Sequence, residues 1–220
     1  MPERAYRDRR DAGETLAAAV VDRLGPVDAV VLALPRGGVP VGLVVARGLD
    51  APLDVMVVRK LGVPGQPELA MGAIAAEGFK VLDESLVAQL QLTNSEVAAV
   101  VEHETKELQR REALYRAARS AVEVRGRVAV LVDDGLATGS TMRAAIRATR
   151  GRGPAKLVVA VPVGARDTCA ELARKVDTFI CPLQPGDFFA VGQWYQDFAP
   201  TTDDEVRACL AAAPHPEKAA

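Results

Sequence analysis

At 220 residues the chain is long enough for one α/β domain with a small appendage, and a domain of this size buries about 70% of the surface of its unfolded chain. Its hydrophobic content of 49% and charged content of 25% are ordinary for a globular protein. The formal net charge is −2 and no basic tract is present, which argues against a nucleic-acid-binding surface.

The first part of the chain predicts a βαβ unit. Residues 7–24 carry apolar side chains along one helical stripe, which predicts an N-terminal helix. Residues 28–34 form an apolar run typical of a buried strand, residues 40–47 predict an apolar helix, and residues 53–58 predict a second strand. Strand, helix and strand in this order are what a parallel sheet requires.

A glycine pair with an arginine stands between the first strand and the helix that follows it. Arg36, Gly37 and Gly38 suit pyrophosphate, because arginine supplies a planar fork of donors and glycine lets successive N–H groups converge on an anion. The alternative is an ordinary loop with a solvated arginine. Lys60 follows the second strand, at the same edge of the predicted sheet, and there it either neutralises pyrophosphate or is simply solvated.

Residues 62–119 combine the patterns of a loop, of short strands and of a long helix. Residues 62–68 are rich in glycine and proline, which predicts a loop. Residues 69–87 predict short strands with turns at residues 77–78 and 83–84. From residue 93 to about residue 119 the pattern predicts a helix with a solvated charged face, and His103 within it is interpreted as a surface residue rather than a catalytic base.

The most informative stretch begins with five consecutive apolar residues, 128–132. A run without polar alternation predicts a strand buried on both faces, as in a parallel sheet. It ends on Asp133 and Asp134, which cannot stay unpaired in an apolar core and therefore mark the carboxyl edge of the sheet, where ligands of open α/β folds bind. Helical spacing starts again at Met142.

The turn between this strand and its helix suits a sugar phosphate. Gly135 and Gly139 allow left-handed backbone angles and a close approach to an anion, and the helix N-terminus offers free N–H groups. Hydroxyl donors are added by Thr138, Ser140 and Thr141. The two carboxylates are acceptors for neighbouring ribose hydroxyls, so the turn is predicted to hold a ribose 5-phosphate. The alternatives are an acid pair that caps an ordinary turn or one that holds a metal.

The last third predicts two more strands and two more helices. Strands are expected at residues 157–163 and 177–183, and helices at residues 166–175 and 203–213. Between the last strand and the last helix, five of the nine aromatic residues lie within eleven positions: Phe188, Phe189, Trp194, Tyr195 and Phe198. They predict either a small hydrophobic core that anchors the C-terminal segment or a platform on which a flat heterocycle stacks.

The segment 130–141 resembles the phosphoribosyl pyrophosphate (PRPP) signature of the type I phosphoribosyltransferases, in which apolar residues precede two acids and a Thr-Gly-Gly-Thr-like turn. Ser140 stands where the second glycine is usual. The resemblance implies a doubly wound, mainly parallel α/β sheet flanked by helices, with a core at about residues 26–184 and a flap at about residues 61–92. It also implies a small hood at about residues 185–213, to which the N-terminal helix, residues 3–24, could contribute.

The same resemblance implies roles for individual residues. Gly37 and Gly38 lie in the pyrophosphate loop, where the Arg36–Gly37 peptide is expected to be cis. The PRPP phosphate is bound by the turn residues Gly135, Ala137, Thr138, Gly139, Ser140 and Thr141. Ala137 stands where relatives that use 6-oxopurines carry an aspartate, so the motif looks more like that of adenine-type members. Trp194 or Tyr195 is expected to stack on the base.

The implied activity is the Mg²⁺-dependent transfer of ribose 5-phosphate from PRPP to a nucleobase or a similar nitrogen acceptor, with release of pyrophosphate. Asp133, Asp134, Arg36 and Lys60 are the candidate catalytic residues, and no general base is assigned. Mg²⁺ is expected to bind mainly through PRPP or pyrophosphate, with no protein ligand. The alternative is a non-catalytic regulatory protein that binds PRPP or a nucleotide.

The expected setting is the cytoplasm, without nucleic-acid or membrane partners. The longest uncharged run, residues 85–95, is too short to span a bilayer, and residues 1–11 lack the apolar segment of a secretory signal. Three widely spaced cysteines suit reduced thiols rather than a disulfide framework. Analogy with the family suggests a homodimer.

Overall fold

The computed structural model describes residues 6–75, 78–116 and 121–214. Helices and strands alternate through most of this length, as the apolar pattern predicts. The elements are α1 (Arg9–Leu24), β1 (Ala29–Ala33), α2 (Gly38–Gly48), β2 (Leu53–Val55), β3 (Val58–Val63), β4 (Gln66–Ala75), β5 (Lys80–Leu82), α3 (Glu84–Gln89), α4 (Asn94–Arg116), β6 (Val128–Val132), α5 (Ser140–Gly151), β7 (Lys156–Ala160), α6 (Arg166–Ala173), β8 (Thr178–Ile180) and α7 (Asp203–Ala211).

Within the described residues, five strands form a parallel sheet in the order β2-β1-β6-β7-β8. Strand β6 is central and pairs in register with both neighbours, Val130 lying opposite Val31 of β1 and Val158 of β7. All three of these valines are fully buried. The uninterrupted apolar runs therefore occur where helices cover both faces of the sheet, and the predicted doubly wound α/β fold is confirmed.

Alternate side chains of the central strands enter two different cores. Val31 and Val130 pack with residues of α1, α2 and α7 on one face. Val30 and Leu131 pack with residues of α5 and α6 on the other face, among them Met142. Because consecutive strand residues point to opposite faces, each strand is fixed in register by two cores at once.

A second, antiparallel sheet, β3-β4-β5, lies beside α4 and α5. The loop predicted at residues 62–68 is wrong: Val63 pairs with Gln66 across Pro64 and Gly65, so these residues close a hairpin. Gly65 has a φ of 77°, a left-handed conformation that favours glycine. The glycine and proline content thus marks a two-residue turn rather than a longer loop.

The helix ends show why these segments begin where they do. The Asp8 side chain accepts from the backbone N–H groups of Arg10 and Asp11, so α1 starts at Arg9 rather than at residue 7. The short strand predicted after the turn at residues 83–84 is instead part of α3, because the Asp83 carboxylate accepts from Leu86 N at 3.0 Å and caps a helix. The predicted end of the long helix, residues 117–119, lies outside the described residues.

Candidate active site at the carboxyl edge of the sheet

Two loops meet at the carboxyl edge of the parallel sheet, one after β1 and one after β6. They meet because β1 and β6 are neighbours in the sheet, and Leu34 N donates to Val132 O at 2.8 Å. A Cβ on Gly38 would lie 2.8 Å from Asp133 Cα, and one on Gly37 would overlap the Asp134 carboxylate. The glycine pair therefore makes room for the acid pair.

The two acids are partly buried and interact with each other. Asp134 N donates to Asp133 Oδ1 at 2.9 Å. Burial raises the pKa of Asp133 well above its usual range, and the adjacent Asp134 charge adds to this. Burial also raises the pKa of Asp134, against the opposing effect of the Arg9 guanidinium. Ionising both carboxyls at once is therefore costly in the ligand-free protein.

Arg9 is a residue of this site that the sequence analysis missed. Its Nε donates to Asp134 Oδ2 at 2.9 Å, and its Nη1 donates to Ala199 O at 2.7 Å. The guanidinium carbon lies 4.0 Å from the centroid of the Phe198 ring. Nothing in the local sequence separates Arg9 from Arg7 and Arg10, since its partners are more than a hundred residues away.

The aromatic cluster forms a small core, as one of the two interpretations proposed. Trp194 and Tyr195 are 7% and 1% exposed and pack with Tyr6 and Val163. So little of either ring is exposed that neither offers an open face to a base in this structure. The Tyr195 hydroxyl instead donates to Asp134 O at 2.5 Å, and burial raises the pKa of Tyr195, which keeps the hydroxyl protonated as a donor.

The aromatic ring that remains open is Phe189, which is 87% exposed. The backbone N–H of Phe189 donates at 3.2 Å to the side-chain oxygen Oε1 of Gln193, which belongs to the short 3₁₀ turn Val191–Trp194. Val191 of the same turn packs where a Cβ on Gly135 would lie. Phe189 is therefore tied to a segment that contacts the loop after β6.

The turn before α5 ends on a left-handed glycine at the helix start. Gly139 has a φ of 74°, which confirms the expected left-handed backbone at that position. Gly135 is not left-handed, and glycine is needed there because the Val191 side chain occupies the space. Thr138, Ser140 and Thr141 of this turn are exposed, as is Ala137, which precedes them.

Carbonyl oxygens of the same turn are tied to neighbouring helices. Thr168 Oγ1 of α6 donates to Ala137 O at 2.8 Å, and Arg143 Nη1 of α5 donates to Thr138 O at 2.7 Å. Arg143 is itself held by Glu171, and the hydrogen bonds that Glu171 accepts from Arg143 and Lys175 lower the pKa of Glu171 to about 2. These bonds fix the turn, while the first N–H groups of α5 have no acceptor within the helix.

Arg36 and Lys60 approach the site from different sides. The Arg36 side chain is half-exposed, with Nη1 3.9 Å from Asp203 Oδ1, and Asp203 also accepts from the Tyr115 hydroxyl at 2.9 Å. The cis peptide joins Pro35 and Arg36, one position earlier than expected. Lys60 is not at the end of β2 but within β3, where it lines a cavity of about 440 Å³ together with Ser140, Thr141, Asp83 and Arg147.

Two further findings apply to residues 6–75, 78–116 and 121–214. These residues contain no group of three or more His, Cys, Asp or Glu side chains placed to hold a metal ion. None of their helices combines the length and the apolar character needed to cross a membrane. Cys169, Cys181 and Cys209 are free thiols.

The sequence profile of the phosphoribosyl transferase domain matches residues 6–196. Two Mycobacterium tuberculosis proteins, from strains CDC 1551 and H37Rv, are provisionally named phosphoribosyl transferases and are 49% identical to this chain over 208 residues. The match covers 94% of this chain and 47% of each relative, so the chain spans about half the length of these curated relatives.

Solved structures share the fold of this chain. A Thermus thermophilus protein has a TM-score of 0.84 and 41% identity, over 93% of this chain and 97% of that one. A Neisseria gonorrhoeae protein crystallised with bound ppGpp has a TM-score of 0.52 at 12% identity, over 96% of this chain and 98% of that one, and shares the fold. The chain therefore belongs to the phosphoribosyl transferase domain family, with the type I fold that its PRPP-like signature predicts.

Proposed function

We propose that this protein transfers ribose 5-phosphate from PRPP to a nitrogen acceptor, with a nucleobase as the most suitable class, and releases pyrophosphate. The observation that carries the proposal is the contact between two loops: Asp133 and Asp134 lie against Gly37 and Gly38, and the N-terminus of α5 follows within a few residues. Groups suited to a diol, a pyrophosphate and a phosphate are thereby brought to one edge of the sheet.

The 5-phosphate binds at the start of α5 in this proposal. The turn Ala137–Thr141 offers backbone N–H groups and three hydroxyls, and the helix dipole adds positive potential. The carbonyl oxygens of Ala137 and Thr138 accept hydrogen bonds from Thr168 and Arg143, respectively. Because these oxygens are engaged elsewhere, they do not repel an anion in the turn.

The ribose lies over the acid pair. Ionised Asp134 accepts a hydrogen bond from one ribose hydroxyl. Asp133 ionises and accepts from the neighbouring hydroxyl once the bound sugar supplies donors in place of water. As the bond from C1 to pyrophosphate breaks, positive charge develops on the sugar, and nearby carboxylates stabilise that charge. The acceptor nitrogen then attacks C1 and inverts its configuration.

Pyrophosphate leaves toward Arg36 and the N-terminus of α2. Arg36 is half-exposed and its guanidinium can turn from Asp203 to an anion, while Gly37 and Gly38 leave the backbone accessible. Lys60 approaches from β3, next to Ser140 and Thr141. Mg²⁺ prefers oxygen ligands and water, so in this proposal it would bind mainly through PRPP oxygens and would neutralise charge on the departing pyrophosphate.

The base binds beneath a hood. We propose that residues 185–213 and α1 form this hood over a core of residues 26–184, with the flap at residues 61–92. The N-terminal and C-terminal segments meet directly, since Tyr6 N donates to Trp194 O at 3.1 Å. With Trp194 and Tyr195 buried, Phe189 is the aromatic ring with an open face for stacking.

The test is an activity assay. Purified protein is incubated with PRPP, Mg²⁺ and each member of a panel of purine and pyrimidine bases, and pyrophosphate release is followed. We expect release with at least one base, its loss in D134N, and its retention in D28N, which alters an exposed acid at the opposite edge of the sheet. Saturable PRPP binding without release for any base would identify the regulatory alternative, and an absence of PRPP binding would overturn both.

A further inference from the structure

Arg9 stands apart from the other cations of α1. Its side chain is 13% exposed and that of its partner Asp134 is 14% exposed, whereas the neighbouring Arg10 pairs with Glu14 on the surface. The first residue of this helix thus reaches the acid pair, while the helix as a whole packs against α2. Because arginine side chains are seldom buried unless they are paired, the burial of this guanidinium indicates a specific role for its contacts.

The contacts of Arg9 use the planar shape of its guanidinium. Nε donates to Asp134 and Nη1 donates to Ala199 O at the same time, and the Phe198 ring supports the group from one side. Two donors directed at once to two acceptors fix the orientation of both partners. Arg9 consequently joins the carboxylate at the sheet edge to the C-terminal segment.

Charge around Asp134 comes from several elements. Asp133 adjoins it on the same loop, the Tyr195 hydroxyl donates to its carbonyl oxygen, and Glu205 of α7 interacts with Arg9. Arg36 lies on the loop that contains Gly37, with its guanidinium near Asp203. Among these groups, Arg9 donates directly to the Asp134 carboxylate, and its guanidinium opposes the rise in pKa that burial causes.

We propose that Arg9 is a positioning residue for ribose recognition, which fixes the orientation and the charge of the Asp134 carboxylate and couples it to the C-terminal segment at Phe198 and Ala199. This inference rests on the proposed function, because it assigns Asp134 to a ribose hydroxyl. It predicts that the N-terminal helix is part of the substrate-binding apparatus rather than only a cover for the sheet.

The experiment compares the unmodified protein with R9M, R9K and the matched control R10M. PRPP affinity is measured by calorimetry at two pH values, one below and one above the Asp134 midpoint found for R9M by titration. Carboxyl-carbon NMR follows the titration of Asp134 in the same variants without ligand, and thermal unfolding reports stability.

We expect R9M to bind PRPP about tenfold more weakly at the lower pH and to recover part of the loss at the higher pH, because without the guanidinium Asp134 is protonated at the lower pH and ionised at the higher one. R9K keeps the charge but lacks the planar fork of donors that fixes both acceptors, so it should keep the wild-type pH profile with weaker binding at both pH values. R10M should match the wild type in affinity and pH profile.

Three results would overturn the inference. One is an R9M variant with wild-type affinity at both pH values, and another is an unchanged Asp134 titration in that variant. The third is a purely structural effect, in which R9M and R9K unfold at lower temperature but bind PRPP as the wild type does. If the unmodified protein fails to bind PRPP, the proposed function fails as well, which distinguishes that outcome from a failure of the Arg9 role alone.

Discussion

Gly38→Ala is the substitution that tests the contact between the two loops most sharply. The added Cβ would lie 2.8 Å from Asp133 Cα and 2.9 Å from Val132 O. Both are backbone atoms at the end of β6, the central strand of the parallel sheet, so neither can turn away as a flexible side chain could. The clash must be relieved by moving one loop away from the other.

The size of the effect follows from two opposing contributions. Carbon atoms in ordinary contact are about 3.5 Å apart, so the loop after β6 must move by about 0.7 Å. Overpacking of this kind costs about 1–3 kcal/mol. Alanine returns up to about 1 kcal/mol through its better helix propensity, since Gly38 is the first residue of α2. Because the clash is with two backbone atoms, it outweighs the propensity gain and leaves a net loss of about 1–2 kcal/mol. The melting temperature should therefore fall by about 2–8 °C for a chain of this size.

Thermal unfolding and PRPP titration measure the two consequences separately. Displacement of Asp133 should weaken PRPP binding by about tenfold or more, because charge-assisted hydrogen bonds depend strongly on distance. Gly186→Ala is the matched control, since a Cβ there meets nothing within 4 Å. A G38A variant that is as stable as the wild type and binds PRPP equally well would refute the close packing of the two loops and its role in binding.

Other substitutions extend this reasoning. D133N should raise the melting temperature near neutral pH and remove PRPP affinity. The raised pKa of Asp133 means that the folded state binds the Asp133 proton more tightly than the unfolded state, so ionisation of this carboxyl above about pH 4 opposes folding. A lower melting temperature would contradict this. Y195F should lose about 1 kcal/mol, measured by denaturant unfolding, because Asp134 O loses its buried donor; unchanged stability would show that this bond contributes nothing. F189A should leave stability unchanged and weaken base binding about tenfold in a KM measurement, since the ring is 87% exposed; an unchanged KM would exclude stacking on this ring.

The central strands and the acid-bearing loop could be predicted from the sequence because their signals are local. The apolar run Val128–Val132 and the abrupt change to two acids define a buried strand and its carboxyl edge without any tertiary information. The same holds for Gly139, where the left-handed backbone required by the turn is realised.

Other features depend on partners that are distant in the chain. The burial of Trp194 and Tyr195 results from packing against Tyr6 at the opposite terminus, so local composition could not separate a small core from a stacking platform. The glycine at position 135 is required by the Val191 side chain rather than by backbone angles. The hairpin at Pro64 and Gly65 was missed because a two-residue turn and a longer loop share the same residue types.

The central claim is that the acid pair at the edge of the sheet binds the ribose of PRPP. The most direct measurement is a calorimetric titration with PRPP and Mg²⁺ of the wild type and of the double variant with Asp133→Asn and Asp134→Asn. We expect saturable binding by the wild type and a loss of about a hundredfold or more in the double variant, which should remain folded because both amides are close in shape to the acids they replace. Equal affinity of the two proteins would contradict the claim.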